Sequence, residues 1–221
     1  MIYILAILGY LIGSIPFGLL LTRIAGYGDI RNIGSGNIGA TNVLRTGNKP
    51  LALLTLLLDG GKGAAAVLLA QAVMTYDAGL AAALGVFLGH LFPVWLKFKG
   101  GKGVATTLGI LLALQPALGL ACCALWLSSA LLFRYSSAAA LISIGLSPYI
   151  ALKFAFAPEK YTEKDGSTVF LFNHHHVLLP ALCSFMAILV YYKHRENIRR
   201  LFKGQEPKIG QKKEKDAPAT A

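Results

Sequence analysis

Apolar residues gather in six long stretches, at about 2–25, 51–75, 78–96, 104–133, 136–157 and 176–192. Each is long enough to be helical in lipid. The stretch at 104–133 is interrupted at Gln115-Pro116, so it is either one long span or two short ones. Polar segments between the stretches are rich in Lys and Arg, which favour the cytoplasmic side when they lie in short loops. Placing the Arg23–Lys49 loop, the Lys97–Lys102 loop and the tail from Lys193 on that side requires an even number of spans between Lys102 and Lys193. The stretches at 136–157 and 176–192 supply two, so 104–133 must supply two more. The expected architecture is an all-α polytopic transmembrane bundle of seven spans, with the N-terminus outside and the C-terminus cytoplasmic; five or six spans are the alternatives. On this topology 18 of the 21 Lys and Arg residues lie inside.

Composition supports the bilayer as solvent. Hydrophobic residues make up 55% and charged residues 14% of the 221-residue chain, against roughly 25% charged in a soluble domain. Such a chain cannot cover a soluble surface, which excludes a soluble globular enzyme. The first 22 residues lack a basic start and an A-x-A site, so they read as the first span and not as a cleaved signal. The net charge of +11 suits anionic lipid or phosphorylated ligands. Cys122, Cys123 and Cys183 sit in apolar runs without metal-ligand spacing and read as small buried hydrophobes. Residues 1–203 are expected to form one transmembrane domain, and 204–221 a loose polar cytoplasmic tail. The loop from Pro158 to Asn173 reads as a solvated connection.

Four segments carry candidate chemistry. In the loop at 28–49, glycines and asparagines alternate with Ile38, Val43 and Leu44, which predicts a short interfacial helix ending at Gly47. Ser35 and Asn37 then lie near its start, where free backbone amides gather around an anion, and Arg45 reaches back from its far end. A flexible polar loop is the alternative. Gly60-Gly61-Lys62-Gly63 and Gly100-Gly101-Lys102-Gly103 form a partial repeat, each read as a cationic glycine turn at a helix start. Neither matches a nucleotide-binding P-loop, because the Lys is followed by Gly and the G-x-x-x-x-G spacing is absent. Asp59 needs a partner beside a membrane stretch, and Lys62 or Arg45 can supply it. Finally, His194, Asn197 and Leu201 share one face if the last helix continues, and a His one turn from an Asn can orient or deprotonate a hydroxyl. A basic helix that only holds lipid headgroups is the competing reading. His174, His175 and His176 point in different directions on a helix and do not read as a metal site.

Taken in order, GSIPFG at 13–18, GSGNIGATNVLR at 34–45, DGGKG at 59–63, GHLFPVWLKFKGGKGVAT at 89–106, YSS at 135–137 and HRENIRRL at 194–201 closely resemble the bacterial acyl-phosphate-dependent glycerol-3-phosphate acyltransferases. The resemblance runs from residue 13 to about 209. It implies a multi-pass protein of the bacterial inner membrane, with its site facing the cytoplasm, that moves a fatty acyl group from acyl phosphate to the 1-hydroxyl of glycerol 3-phosphate. Carried over through the matching motifs, Ser35, Arg45 and Lys102 hold phosphates, while Ser143, His194 and Asn197 position the hydroxyl or the acyl phosphate. Gly36, Asn37, Asn42, Gly60, Gly61, Lys62, Gly100, Gly101, Gly103 and Thr106 line the substrates on the same reading. Acyl phosphate is already activated and no Ser-His-Asp triad is evident, so direct transfer without an acyl-enzyme is expected. No cofactor, metal, nucleic acid or obligatory protein partner is called for beyond substrates and membrane lipids. A phosphate or organophosphate carrier is the alternative, because transporters also place glycine-broken helices and cations at a membrane cavity.

Overall fold

The computed structural model of the protein describes residues 1–155, 159–162, 168–171 and 175–211. Among the described residues, α-helices run in the order α1 (Ile2–Gly13), α2 (Phe17–Ile24), α3 (Ala40–Val43), α4 (Lys49–Val73), α5 (Tyr76–Leu91), α6 (Val104–Leu114), α7 (Pro116–Phe133), α8 (Ser136–Ala155), α9 (His175–Lys193) and α10 (Arg195–Phe202). Between α8 and α9, β1 (Glu159–Thr162) pairs antiparallel with β2 (Thr168–Leu171), Glu159 opposite Leu171. These paired strands lie within the segment read as a solvated connection.

Among the described residues, five segments are long and apolar enough to cross a bilayer: Ile2–Ile24, Lys49–Val73, Tyr76–Leu96, Pro116–Phe133 and Ser136–Phe154. A sixth arises if α9 and α10, bent by 62° at His194, count as one. The stretch at 104–133 is indeed divided. Gln115 is extended (φ −148°, ψ 94°) and Pro116 opens α7, as expected where a proline excludes helical backbone from the residue before it and supplies no amide of its own. The shortening falls entirely on α6. Its 11 residues reach about 16 Å, half the hydrocarbon thickness, whereas α7 is of spanning length.

Helix packing follows small residues. α1 lies on α5, α4 on α6, and α8 on both α7 and α9. A methyl group at Gly13 would sit 2.1 Å from the Val86 carbonyl oxygen, so only glycine permits the α1–α5 approach. The main core collects Val86, Phe87, Leu91, Ile110, Leu111, Leu118, Cys122, Ile144, Met186 and Val190. Leu57, Leu69, Leu131, Leu132 and Ile188 remain exposed on the outer faces, as lipid-facing positions should. Cys122 and Cys183 are buried free thiols.

One expectation is corrected here. Gly60-Gly61-Lys62-Gly63 starts no helix; it lies at the middle of the 25-residue α4. Gly63 serves packing, since a methyl group there would lie 2.6 Å from the Thr106 carbonyl oxygen of α6, and Gly109 of α6 admits the Gly60 carbonyl oxygen, which a methyl group at Gly109 would meet at 2.0 Å. Lys62 is buried and donates to Asp59 Oδ1 at 2.8 Å and to the Ile15 carbonyl at 2.8 Å, where the chain breaks between α1 and α2. Of the two partners considered for Asp59, Lys62 is the one found. Removing one member of such a pair costs about 3–5 kcal/mol, because the other charge stays buried alone.

Candidate active site

The loop between α2 and α4 is folded, not loose. Ile30, Ile38 and Val43 form a small core with Leu19 of α2 and Ala52 of α4. α3 and a 3-10 turn at Leu44–Thr46 end at Gly47, which is left-handed at φ +86°, matching the predicted stop. Asn42 organises the loop: its Nδ2 donates to the carbonyls of Ile30, Ile33 and Asn37, and its Oδ1 accepts from the Ser35 amide at 3.0 Å and the Ser35 hydroxyl at 3.2 Å. With every polar valence engaged, Asn42 is scaffold, and it presents Ser35 at the surface. Asn37 likewise caps the Gly39 amide at 2.9 Å. The Arg45 side chain reaches back to Gly34, where an added methyl would lie 2.6 Å from its Cδ. Arg45 is half-buried, and burial holds its guanidinium below the ordinary value, opposed by the nearby Glu206 charge.

Facing this loop is the turn that precedes α6. Gly103, at φ +85°, caps α6, so this second glycine turn does open a helix. Lys102 donates to Asn197 Oδ1 on α10. Asn197 Nδ2 donates onward to Glu206 Oε1 at 2.6 Å, and the same carboxylate accepts from Ser137 Oγ at 2.7 Å and from Arg200 Nε at 2.7 Å. Burial pushes the Lys102 ammonium down to about 8; Glu206 opposes this, while Arg200 and Arg45 add to it. Burial pushes Glu206 upward, but its bonds from Asn197, Ser137 and Arg200 outweigh that and hold the carboxyl below its usual range. His194 follows the end of α9 and is buried. Its Nδ1 lies 2.8 Å from the Val190 carbonyl, which fixes the proton on Nδ1 and leaves Nε2 as acceptor. Burial, then the Lys102 charge, push His194 down to about 4, so the ring is neutral at physiological pH.

Lys102, His194 and Asn197 therefore stand together, and the Arg45 charge reaches them from the loop that carries Ser35. Ser143 does not join them. It is fully buried on α8, with its hydroxyl on the Cys122 carbonyl at 2.6 Å, where it ties α8 to α7. The serine beside the cluster is Ser137, nearly two turns earlier on α8. Thr106 also points away: its hydroxyl donates to the Asp59 carbonyl at 3.0 Å. Lys62 belongs to the bundle interior described above, Gly60 lies at the α4–α6 contact, and Gly61 is exposed. His174 lies outside the described residues, as do the side chains of His175 and His176.

Sequence reasoning missed Glu206, because the chain from Gly204 reads as a loose tail, and did not single out Arg200 among the cations of a basic helix that also reads as a holder of lipid headgroups. In fact Gly204 turns left-handed at φ +66° and sends the chain back, placing Glu206 in the cluster and the Ile209 amide on the Arg134 carbonyl at 2.7 Å. The available signal was Gly204 just beyond a basic amphipathic helix, a common reversal point. A cavity of about 550 Å³ lies outside Glu206, lined among others by Arg134, Tyr135 and Lys208.

Fold and site define an integral membrane protein whose intramembrane helices hold a cationic cluster at one end of the bundle. A sequence model of the family described as glycerol-3-phosphate acyltransferase matches residues 3–204. Glycerol-3-phosphate acyltransferases of Agrobacterium fabrum (strain C58) and Caulobacter vibrioides (strain NA1000 / CB15N) are 53% and 55% identical over 207 residues each, covering 94% and 93% of this chain and 91% and 86% of theirs. The crystal structure of PlsY (YgiH), an integral membrane glycerol 3-phosphate acyltransferase, in its glycerol 3-phosphate form superimposes with a TM-score of 0.81 at 36% identity, over 95% of this chain and 96% of that one. Its lysophosphatidic acid form gives 0.78 at 34% identity. The chain belongs to the glycerol-3-phosphate acyltransferase family and is an integral membrane acyltransferase.

Proposed function

We infer that the protein transfers a fatty acyl group from acyl phosphate to the 1-hydroxyl of glycerol 3-phosphate, releasing lysophosphatidate and phosphate, by direct attack in a ternary complex. The observation that carries this reading is the convergence of Lys102, Arg45, Arg200, His194 and Asn197 at one end of an apolar bundle, with no activated nucleophile among them. Ser35 and Ser137 are hydrogen-bonded to an amide oxygen and a carboxylate, and the neutral His194 ring is anchored through Nδ1.

In the proposed step the glycerol hydroxyl donates its hydrogen bond to His194 Nε2 and attacks the acyl carbonyl carbon. The tetrahedral intermediate collapses with cleavage of the bond from carbonyl carbon to phosphate oxygen. Lys102 meets the charge that develops on the departing phosphate. With a pKa near 4, His194 is a weaker base than a phosphate monoester, whose second pKa is about 6. The proton therefore ends on phosphate, and His194 orients the hydroxyl. Ser35 and Arg45 hold the second phosphate. On this reading the chain makes seven membrane segments, counting the short α6, with the N-terminus outside and the site on the cytoplasmic face of the bacterial inner membrane; the distribution of Lys and Arg supports that orientation. The protein needs no cofactor and no obligatory protein partner on this reading.

Purified protein in detergent, given labelled glycerol 3-phosphate, should make labelled lysophosphatidate with acyl phosphate as donor and essentially none with acyl-CoA. Preferential use of acyl-CoA would overturn the donor assignment. Movement of label across vesicles without product would favour a carrier.

A further inference from the structure

The GGKG turn at 100–103 is held from below by groups that none of the proposed chemistry uses. His90, buried in the last turn of α5, accepts the Gly101 amide on its carbonyl at 3.0 Å, and the Leu91 carbonyl accepts the Gly100 amide at 3.2 Å. The His90 ring lies flush against the turn. A methyl group added at Gly101 would come within 2.1 Å of its Nε2, closer than any real contact, so the ring dictates how deeply the backbone beside Lys102 can settle.

The other side of the ring faces the buried ion pair. His90 Nδ1 is 3.7 Å from Asp59 Oδ1, beyond hydrogen-bond range, and has no hydrogen-bond partner among the described residues. Shape and the Asp59 charge hold the ring, not a directed bond. Asp59 in turn is fixed by Lys62, which also grips Ile15, and by Thr106, which joins α6 to the Asp59 carbonyl. A chain of contacts thus runs from the α1–α2 break through α4 and His90 to the turn that aims Lys102 at Asn197.

We propose that His90, backed by the Asp59–Lys62 pair, is a positioning residue for acyl transfer: it sets the Gly100–Lys102 turn so that the Lys102 ammonium meets the substrate phosphate. This inference rests on the assignment of Lys102 as a phosphate-binding residue. A side chain that serves stability alone would lower the amount of folded protein and leave the kinetics of each folded molecule unchanged. A positioning residue changes those kinetics.

The test uses full-length protein in detergent, with folding checked by size-exclusion chromatography and thermal unfolding and with rates expressed per folded molecule. His90→Leu should lower kcat/KM for glycerol 3-phosphate by about tenfold or more, and His90→Gln, which keeps polarity and part of the ring's length, by less. In a Lys102→Gln background the further loss from His90→Leu should shrink to less than about threefold, because the two residues act through one contact. Wild-type kinetics in a folded His90→Leu or His90→Gln protein, fully multiplicative losses in the double variant, or failure of both variants to fold would overturn the positioning role. Wild-type turnover in Lys102→Gln alone would overturn the assignment of Lys102, and this inference with it. An inactive Lys102→Gln beside fully active His90 variants would overturn the inference only.

Discussion

Lys102 and Asn197, 95 residues apart in the chain, are joined by a hydrogen bond from the lysine ammonium to the asparagine Oδ1. The bond links the glycine turn before α6 to α10 and, in the mechanism proposed above, sets a cation where both phosphorylated substrates would meet it. A phosphate arriving there meets a charge already held in place, which is how electrostatic preorganisation lowers a barrier without reorganisation at the moment of reaction.

Lys102→Ala should therefore lower kcat/KM by about 10²–10³ without lowering the thermal unfolding midpoint, since Lys102 is a largely buried cation that belongs to none of the hydrophobic clusters. Steady-state kinetics on the detergent-purified variant check this. Turnover near wild type would remove Lys102 from the mechanism.

The pH dependence carries the same assignment. Burial holds Lys102 down to about 8 in the folded protein, against an ordinary lysine value of 10.5. The free enzyme should lose kcat/KM as pH rises through about 8, and Lys102→Met should flatten that limb. Between about 8 and 10.5 the unfolded chain binds more protons at this site than the folded one, so this group makes stability rise with pH across the window.

Glu206 accepts from three side chains, and its carboxyl is held below the ordinary value of 4.5. Its stabilising contribution is complete above that value and disappears as pH falls through the lower folded value. Glu206→Ala should cost about 2 kcal/mol of stability, the worth of hydrogen bonds to a charged group, and should also depress activity by freeing Asn197 and Arg200. Thermal unfolding at pH 7 and at pH 3.5 separates these effects: the difference between wild type and variant should shrink at the lower pH.

The two serines on α8 make opposite predictions. Ser137→Ala removes a ligand of Glu206 and should reduce kcat/KM by about tenfold, whereas Ser143→Ala breaks an interior bond to the Cys122 carbonyl and should cost about 1 kcal/mol of stability with unchanged kinetics. The reverse pattern would restore Ser143 to the site.

The bundle, the division at Gln115, the short helix ending at Gly47 and the pairing of His194 with Asn197 were legible in the sequence, because each rests on local chemistry: apolar length, proline geometry, a left-handed glycine, a one-turn spacing; Lys102 was placed with them only through the family resemblance. The two GGKG segments were not distinguishable that way. Identical in sequence, they differ only in what faces them, a packed helix for Gly60 and a polar turn for Gly100. Ser143 and Ser137 differ similarly by orientation in a tertiary setting. The return of the chain at Gly204 depended on partners, Asn197 and Arg134, that no local window contains.

Truncation tests how much of the tail the site needs. Ending the chain after Gly210 keeps Glu206 and the Ile209 anchor and should leave activity largely intact. Ending it after Gly204 should abolish turnover. Assays of both truncations in membranes, normalised to protein content, decide the point.

The central claim is direct transfer in a ternary complex, and initial rates measured over a grid of acyl phosphate and glycerol 3-phosphate concentrations test it most directly. The account predicts intersecting double-reciprocal lines, with no phosphate released and no label bound to protein when acyl phosphate is given alone. Parallel lines, together with stoichiometric phosphate release and acylated protein in the absence of glycerol 3-phosphate, would contradict it.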